Sequence, residues 1–233
     1  MSAVVKVGGA LLENPATAAA AVLRASPRPL AIVHGGGIQI TRMLDRMKVP
    51  SVFIEGLRVT DKRTLDAVAT ALLGEVHSSF VAALRQAGVD AVGVFGAVHA
   101  SRKSGPWGLV GTDVRADGTA LLALINAGKT PVIPTLAVGG TAEDALLNAN
   151  GDETAAAVAI AIQPAELIFL TDVDGVRDGN GVTIERAASP VELLEASFVS
   201  GGMIPKLRAV KAAMDGGIPT VRVGRTVFGG LQQ

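Results

Sequence analysis

The sequence predicts an α/β fold, a three-layer αβα sandwich with a mostly parallel central sheet. One observation is a set of short apolar runs bounded by turn-forming residues, whose continuous hydrophobicity indicates buried strands. These runs lie at 3–7, 30–33, 91–95, 131–133, 167–170 and 219–223. A second observation is that helical stretches separate them, near 13–26, 38–47, 62–86, 118–127, 152–162 and 203–215. Strands that alternate with helices form a parallel sheet covered on both faces.

Composition fits one large domain and excludes several classes of protein. Of 233 residues, 49% are hydrophobic and 3% aromatic, so the core must be built from Ala, Val, Leu and Ile. The 21 basic and 21 acidic residues cancel, which gives no electrostatic sign of nucleic acid or membrane as a partner. The absence of cysteine excludes disulfides and thiolate chemistry. With no leader-like start and no window of about 18 uncharged apolar residues, we expect a soluble cytoplasmic protein.

The first two predicted strands run straight into glycine turns. Strand 3–7 is followed by Gly8–Gly9, and strand 30–33 by His34 and Gly35–Gly37. Such turns let backbone N–H groups approach an anion, and a helix that begins there adds its positive dipole end. Lys6 lies in an apolar strand, where an unpaired ammonium group is costly. The pattern predicts an anion site with Lys6 directed at it, or else an ion pair with a distant acid; His34 is expected to orient its loop.

The stretch 62–86 predicts an unusually long helix. Apolar residues recur three or four apart and form one stripe: Leu65, Val68, Leu72, Val76, Phe80 and Leu84. Asp61 is a suitable N-cap and Gly88 a suitable terminator. Most of the stripe is expected to lie on the sheet, but so long a helix can extend beyond it. We therefore expect a homodimer built on this helix.

Residues 99–118 and 139–151 interrupt the alternation of strands and helices. The first segment is polar and rich in Gly and Pro, which predicts a hairpin or flap over the site, with Trp107 in surface packing. The second leads into an alanine-rich helix. We place a boundary soon after that helix, between an N-terminal lobe 1–165 and a C-terminal lobe 166–233 that share one continuous sheet.

Further polar residues stand where strands end or helices begin. Arg58 precedes the long helix, and taken alone it fits an exposed surface position or a bidentate carboxylate site. Asp152 suits an ordinary helix cap, which leaves the nearby Asn148 unexplained. Asp172 follows strand 167–170 and suits a ribose, a magnesium water shell or an Asx-turn. Lys206 stands near a helix N-terminus, where a cation is disfavoured unless an anion is bound.

Six segments in register resemble the amino acid kinase family, and they span nearly the whole chain. They are 6–9 (KVGG), 34–37 (HGGG), 56–60 (GLRVT), 148–152 (NANGD), 171–175 (TDVDG) and 202–206 (GMIPK). The GLRVT segment is most similar to the members that act on N-acetyl-L-glutamate. The resemblance implies a carbamate kinase-like fold and transfer of the ATP γ-phosphoryl group, with Mg²⁺, to the side-chain carboxylate of N-acetyl-L-glutamate in arginine biosynthesis.

The resemblance also implies residue roles. Lys6 and Lys206 would stabilise the transferring phosphoryl group, and Asp152 would hold both lysines. The acetylamino acid would be bound by four residues of the N-terminal lobe, Gly35, Gly36, Arg58 and Asn148. The nucleotide would contact Gly8, Gly9, Asp172, Val173, Asp174, Gly175, Val176, Arg177, Phe198, Val199 and Ser200. No protein metal ligand is expected, because Mg²⁺ would arrive with ATP.

The residue inventory agrees with this chemistry on independent grounds. A carboxylate acceptor, with an ordinary pKa of about 4.3, is already ionised at neutral pH and needs no general base. The sequence accordingly has no Ser/His/Asp order, HExxH or CxxC pattern that would indicate a triad or a zinc site. The remaining difficulty is to bring the anionic carboxylate close to the anionic phosphoryl group. Lysines and glycine N–H groups make this possible because they position both groups and stabilise their negative charge.

Several alternatives remain open at this level. A kinase for an aminoadipate derivative in lysine biosynthesis differs by one methylene in its acceptor, a discrimination of only about 1–3 kcal/mol. Aspartokinase and glutamate 5-kinase usually carry an added domain, and uridylate kinase a different glycine motif. A Rossmann module would need GxGxxG after the first strand, which Val7–Leu12 lacks. A non-catalytic ligand sensor with the same fold is a further alternative.

Two departures from the family pattern concern the ends of the chain. It stops soon after 227–230 (VFGG), whereas relatives usually continue to a further Gly-Thr-containing strand. The nucleotide lobe is therefore expected to be trimmed or closed differently. In relatives, an N-terminal helical extension accompanies hexamers that are inhibited by arginine, and no such extension precedes Lys6. Its absence predicts an arginine-insensitive homodimer.

Overall fold

The centre of the fold is a mostly parallel sheet, as the sequence predicts. The computed structural model describes residues 2–187 and 189–230. Its strands are β1 Ala3–Val7, β2 Pro29–His34, β3 Phe53–Ile54, β4 Leu57–Arg58, β5 Ala91–Gly93, β6 Val98–Arg102, β7 Gly111–Ala116, β8 Thr130–Pro134, β9 Leu136–Val138, β10 Leu146–Asn148, β11 Glu166–Leu170, β12 Arg186–Ala187, β13 Thr220–Val223 and β14 Thr226–Gly229. Within the described residues, eight strands pair in the order β12-β14-β13-β11-β1-β2-β8-β5, and the β13–β14 pair is antiparallel.

Helices cover both faces of this sheet. They are α1 Pro15–Ala25, α2 Gly37–Met47, α3 Lys62–Ala69, α4 Ser78–Gln86, α5 Gly118–Asn126, α6 Gly151–Ile162, α7 Pro190–Glu195 and α8 Met203–Asp215. Neighbouring residues of β1 pack in different hydrophobic clusters: Val4 lies in one and Val5 in another. Both clusters are fully buried, which confirms the three-layer architecture.

The register of the central strands brings their carboxyl ends to one edge. Val7 of β1 lies opposite Leu170 of β11 on one side and opposite His34 of β2 on the other. His34 in turn lies opposite Pro134 of β8. The residues that follow these strands therefore meet in one crevice, where ligands bind in open α/β sheets.

The predicted flap is a hairpin within a second sheet. β6 and β7 pair antiparallel, and β9 and β10 extend them in the order β10-β9-β6-β7. The small hairpin β3–β4 lies beside the flap, because the Trp107 indole N–H donates to the Ile54 carbonyl at 3.2 Å. The short strands were not predicted, and the expected strand 91–95 ends at Gly93. The expected helix 13–26 begins as a 3₁₀ turn, Leu11–Glu13, before α1.

The long helix 62–86 is continuous but changes its winding. Between α3 and α4 lies a π-helical segment, Thr70–His77. Asp61 caps the start, its side chain accepting from the Thr64 N–H at 2.7 Å, as predicted. By length and composition alone this helix could cross a membrane: its most apolar window has mean hydropathy 1.5, and 39% of that window is buried. Core helices of soluble proteins meet the same criterion.

Candidate active site

Two lysines from opposite ends of the chain meet on one carboxylate. Lys6 Nζ lies 2.9 Å from Asp152 Oδ1, and Lys206 Nζ lies 3.1 and 3.0 Å from Oδ1 and Oδ2 of the same residue. All three side chains are about nine-tenths buried. The structure thus brings together the three residues to which the resemblance assigns catalysis, and it gives Lys6 the distant acid that a buried lysine requires.

Local structure explains why these groups converge. Lys6 lies one residue before the end of β1, at the crevice. Asp152 lies in the first turn of α6, where the helix dipole favours a negative charge, and the Asn150 side chain caps that turn by accepting from the N–H groups of Asp152 and Glu153. Lys206 lies in the first turn of α8, where a cation is disfavoured. Asp152 supplies part of the negative charge that this position requires.

The cluster carries one net positive charge. Burial opposes ionisation of Asp152, but the two adjacent ammonium groups outweigh it and hold the pKa of that carboxyl below its ordinary value. Burial, together with the charge of Lys6, lowers the pKa of Lys206, while Asp152 acts in the opposite direction. Because both Asp152 oxygens are engaged, the cluster can attract an anion but its carboxylate cannot serve as a free base.

Two cavities meet at this cluster. One cavity, of about 210 Å³, is lined by Arg58 and is called the Arg58 cavity. The other, of about 570 Å³, is lined by Asp172 and is called the Asp172 cavity. Lys6, Gly9 and Gly37 line both. Lys206 lines the Asp172 cavity only. A group passing from one cavity to the other would therefore pass the lysine cluster.

The predicted acetylamino-acid residues all line the Arg58 cavity. They are Gly35, Gly36, Arg58 and Asn148. Arg58 is buried, not on the surface: its guanidinium donates to Thr41 Oγ1 at 2.9 Å and to Ser51, and it lies 4.6 Å from the Phe53 ring centroid. The Asn148 amide donates to Thr60 Oγ1 at 3.1 Å. These contacts fix one planar cation and one amide at the cavity wall, a combination suited to a carboxylate ligand.

The two glycine turns touch each other. A Cβ on Gly9 would lie 2.7 Å from the backbone nitrogen of Gly37, and a Cβ on Gly36 would lie 2.8 Å from Cδ2 of Leu72. Gly9 is therefore required by its close approach to backbone, whereas a side chain at Gly36 would require Leu72 to shift. Among the residues that the structure describes, no protein atom accepts a hydrogen bond from the N–H groups of Gly9, Gly36 or Gly37. These donors are available to an anion.

The predicted nucleotide-binding residues divide into two groups. Five of them line the Asp172 cavity: Gly8, Gly9, Asp172, Val173 and Ser200. The remaining six do not line it: Asp174, Gly175, Val176, Arg177, Phe198 and Val199.

Contacts with β14 and with the core explain the position of several in the second group. Val176 is buried, and its N–H donates to Thr226 Oγ1 at 2.8 Å. The Asp174 carbonyl accepts from the Arg225 N–H at 2.6 Å, and Val199 packs against the core. The 174–176 segment therefore docks the turn against β14 and the residue before it, while Phe198 lies exposed beside Gly179.

Sequence reasoning left out several cavity residues. Thr135 and Asn150 line the Arg58 cavity, and Thr171 and Met203 line the Asp172 cavity. Thr135 and Thr171 each directly follow a buried strand, β8 and β11, and a search for polar residues at strand ends could have found both. Met203 carries no such signal.

Comparison with known proteins identifies the family. A model described as the amino acid kinase family matches residues 1–224. The chain belongs to the amino acid kinase family. An acetylglutamate kinase of Acidobacterium capsulatum is 41% identical to this family member, over 96% of this chain and 90% of its own length. An acetylglutamate kinase of Chloroflexus aurantiacus is 38% identical over 94% and 90%.

A solved structure agrees with the fold of this amino acid kinase family member. A protein of Streptococcus mutans superposes with a TM-score of 0.83 at 28% identity, and the match covers 98% of both chains. A carbamate kinase of Giardia lamblia superposes with a TM-score of 0.68 at 15% identity, over 97% of both chains, which confirms the predicted carbamate kinase-like fold.

Proposed function

We propose that this chain is an acetylglutamate kinase, which transfers the γ-phosphoryl group of ATP to the side-chain carboxylate of N-acetyl-L-glutamate. The products are N-acetyl-L-glutamyl 5-phosphate and ADP, in arginine biosynthesis. The observation that carries the proposal is the Lys6–Asp152–Lys206 cluster at the junction of two cavities. The curated acetylglutamate kinases that match nearly the whole chain support the choice of substrate.

In the proposed mechanism the acetylamino acid occupies the Arg58 cavity. The guanidinium of Arg58 and the amide of Asn148 bind and orient it. The free N–H groups of Gly36 and Gly37, in the second glycine turn, reduce the repulsion as its side-chain carboxylate approaches the phosphoryl group. That carboxylate is the nucleophile and is ionised at neutral pH, so no residue has to remove a proton.

ATP occupies the Asp172 cavity, with its γ-phosphoryl group at the lysine cluster. The transition state of phosphoryl transfer carries negative charge on three equatorial oxygens, and catalysis is mainly positioning and charge stabilisation. Lys6 lines both cavities and can follow the group during transfer, whereas Lys206 acts from the nucleotide side. By analogy with single oxyanion-hole donors, each lysine is expected to contribute about 2.7–4 kcal/mol to transition-state stabilisation.

Mg²⁺ is proposed to enter with ATP. The part of the chain that the structure describes contains no cluster of three or more His, Cys, Asp or Glu side chains able to hold a metal. Both Asp152 oxygens are occupied by lysines, which leaves Asp172 as the carboxylate lining the nucleotide cavity. This donor set fits Mg²⁺ that is held by the phosphates and keeps its waters, with Asp172 placed to contact that water shell. When bound, Mg²⁺ would supply further neutralisation of the phosphate oxygens.

We further propose a cytoplasmic homodimer that associates through the 62–86 helix. The apolar stripe of that helix is buried within one chain, so the interface would use its other, mostly polar face, which is exposed along the whole length of the helix. The proposed N-terminal lobe, 1–165, contributes the acetylamino-acid residues and the dimer contact, and the proposed C-terminal lobe, 166–233, contributes most of the nucleotide cavity. Sedimentation measurements at several concentrations test the dimer.

A coupled ADP-release assay tests the function. N-acetyl-L-glutamate, glutamate, aspartate and an N-acetylaminoadipate substrate are compared side by side with Mg-ATP. We expect N-acetyl-L-glutamate to give the highest kcat/KM, and turnover of another acceptor in its place would contradict the substrate assignment.

Variants of the lysine cluster test the mechanism in the same assay. Lys6→Ala and Lys206→Ala are expected to lower kcat about 10²–10³-fold. Lys211→Ala is the matched control, because Lys211 lies on the same helix as Lys206 but pairs at the surface with Asp215. Undiminished turnover in both cluster variants would exclude the mechanism.

A further inference from the structure

We propose that His77 is a positioning residue for the second glycine turn, and that it acts through His34 to fix the direction of the Gly35–Gly36 peptide. The consequence for acceptor binding rests on the proposed function. The structural part of the proposal, a directed chain of hydrogen bonds from the long helix to the turn, stands on geometry alone.

The buried His34 ring is hydrogen-bonded to the partly buried ring of His77. His34 is fully buried, with its Nε2 2.8 Å from Nδ1 of His77 and its Nδ1 3.0 Å from the Gly35 carbonyl oxygen. The ring centroids are 5.1 Å apart, and the edge of Phe80 closes the pocket around His34. His34 thus has one partner on the turn and one on the long helix.

The partners determine where the protons lie. A carbonyl oxygen only accepts, so the proton of the neutral His34 ring must be on Nδ1. Its Nε2 is then an acceptor, and His77 Nδ1 must donate to it. Burial keeps both rings neutral, lowering the pKa of His34 to about 3 and the pKa of His77 below its ordinary value. The hydrogen bonds therefore run in one direction, from His77 to His34 to Gly35.

The hydrogen bonds from His77 to His34 to Gly35 hold the one peptide group of the turn that no backbone hydrogen bond fixes among the described residues. The N–H of Gly35 donates to the Val7 carbonyl, and the carbonyl of Gly36 accepts from the Ile40 N–H at 2.8 Å. The Gly35–Gly36 peptide lies between these two fixed points and is flanked by glycines on both sides, so it can rotate at low cost. Among the described residues, the His34 ring is the group that bonds its carbonyl.

The direction of that peptide decides whether the turn offers a donor to the cavity. In a trans peptide the C=O and the following N–H point in opposite directions. With the Gly35 carbonyl held against the buried ring, the Gly36 N–H points away from the interior, on the side of the Arg58 cavity that Gly36 lines. The other His34 tautomer would set a ring lone pair against the carbonyl and favour the flipped peptide, which presents an oxygen to an anionic acceptor.

The lack of a side chain at Gly93 leaves space for the His77 ring. His77 is the last residue of the π-helical segment, and such segments are frequent at functional sites. A side chain at Gly93 of β5 would collide with Nε2 of His77, so the ring fits because that position is glycine. From the same helix, Leu72 and Val76 lie against Gly36. Residues of the π-helical segment thus pack against the second glycine turn.

Asn and Leu at position 77 separate a positioning role from simple packing. The two side chains have nearly the same shape, but only Asn places an N–H donor near the position of Nδ1. We expect His77→Leu to raise KM for N-acetyl-L-glutamate about tenfold while KM for ATP stays within twofold. We expect His77→Asn to recover most of the loss. His99→Asn, in the exposed part of β6, is the control.

The tautomers can be observed without any variant of the pair. The chain has only three histidines, so long-range ¹H–¹⁵N spectra of the whole protein, assigned with His99→Asn, resolve each ring. The proposal requires neutral, Nδ1-protonated rings for both His34 and His77. A His34 ring protonated on Nε2 would overturn it, as would equal effects of Leu and Asn or equal changes in the KM values of both substrates.

This design keeps the two proposals distinguishable. If the wild-type protein turns over a different acceptor, the proposed substrate is wrong. His77→Leu and His77→Asn are then compared by their KM for that acceptor instead of their KM for N-acetyl-L-glutamate. If the wild-type protein is inactive with every acceptor, the spectra still decide whether the hydrogen-bond chain exists.

Discussion

Acidification from pH 7 to pH 5 is expected to destabilise the protein through His34. The folded state holds this ring neutral, with its pKa lowered from 6.5 to about 3, mainly because burial disfavours the charged form. In the unfolded chain the ring ionises near its ordinary pKa. Between these two values the unfolded state binds one more proton than the folded state, so the free energy of unfolding falls as the pH falls.

The size of the effect follows from the two pKa values. One extra proton gives a slope of about 1.4 kcal/mol per pH unit once the pH is well below 6.5. Integrated from pH 7 to pH 5, the loss is about 2 kcal/mol for His34 alone. His77 adds to the loss because its pKa is also lowered, whereas Glu153, whose pKa burial raises, opposes it. Compared with a total stability of about 5–15 kcal/mol, this change is readily measured.

Urea unfolding followed by circular dichroism at half-unit pH steps measures the slope. His99→Asn should retain the wild-type slope, whereas His34→Asn should lose most of it because the buried titrating ring is gone. The window between pH 7 and pH 5 is chosen because ordinary carboxyl groups titrate below it. A wild-type slope under about 0.5 kcal/mol per pH unit, or an unchanged slope in His34→Asn, would refute the reasoning.

Three further changes test the site. Asp152→Asn leaves two buried ammonium groups without their counter-ion and should lower the free energy of unfolding by about 3–5 kcal/mol in urea titrations. Glu153→Gln, the adjacent control, should change it by less than about 1 kcal/mol. Arg58→Lys loses the planar fork and should raise KM for N-acetyl-L-glutamate about tenfold without altering KM for ATP. Gly36→Ala should cost about 1–3 kcal/mol in thermal unfolding, and its combination with Leu72→Ala should cost less than the sum of the two single changes.

Much of the fold could be predicted because its signals are local. Six of the eight strands described in the central sheet are apolar runs with a turn behind them, whereas β12 and β14 were not predicted. The helices carry caps such as Asp61. The two glycine turns were visible for the same reason. The short strands β3, β4, β9 and β10 have two or three residues each, too few for periodicity to indicate a strand. Their pairing depends on partners far away in sequence.

The site could be predicted only in part because its connections are not local. Asp152 by itself reads as a helix cap, and its contact with Lys6 joins positions more than a hundred residues apart. The His34–His77 contact likewise depends on how the long helix lies on the sheet. The 174–177 segment does not line the Asp172 cavity, because its backbone bonds to β14 and its neighbours. Its contact with the nucleotide stays a prediction.

The charge of the cluster explains why a carboxylate stands beside a group that must attract anions. Two buried ammonium groups alone would repel each other, and the pKa of Lys206 is already lowered with Asp152 present. Asp152 opposes that lowering for Lys206, yet it cancels only one of the two charges. The remaining positive charge is fixed at the junction of the cavities before any ligand binds, so little reorganisation is needed as charge develops in the transition state. A neutral residue at 152 would remove a negative charge, but it would still weaken catalysis, because the pKa of Lys206 would fall further and both lysines would lose the group that holds them in place.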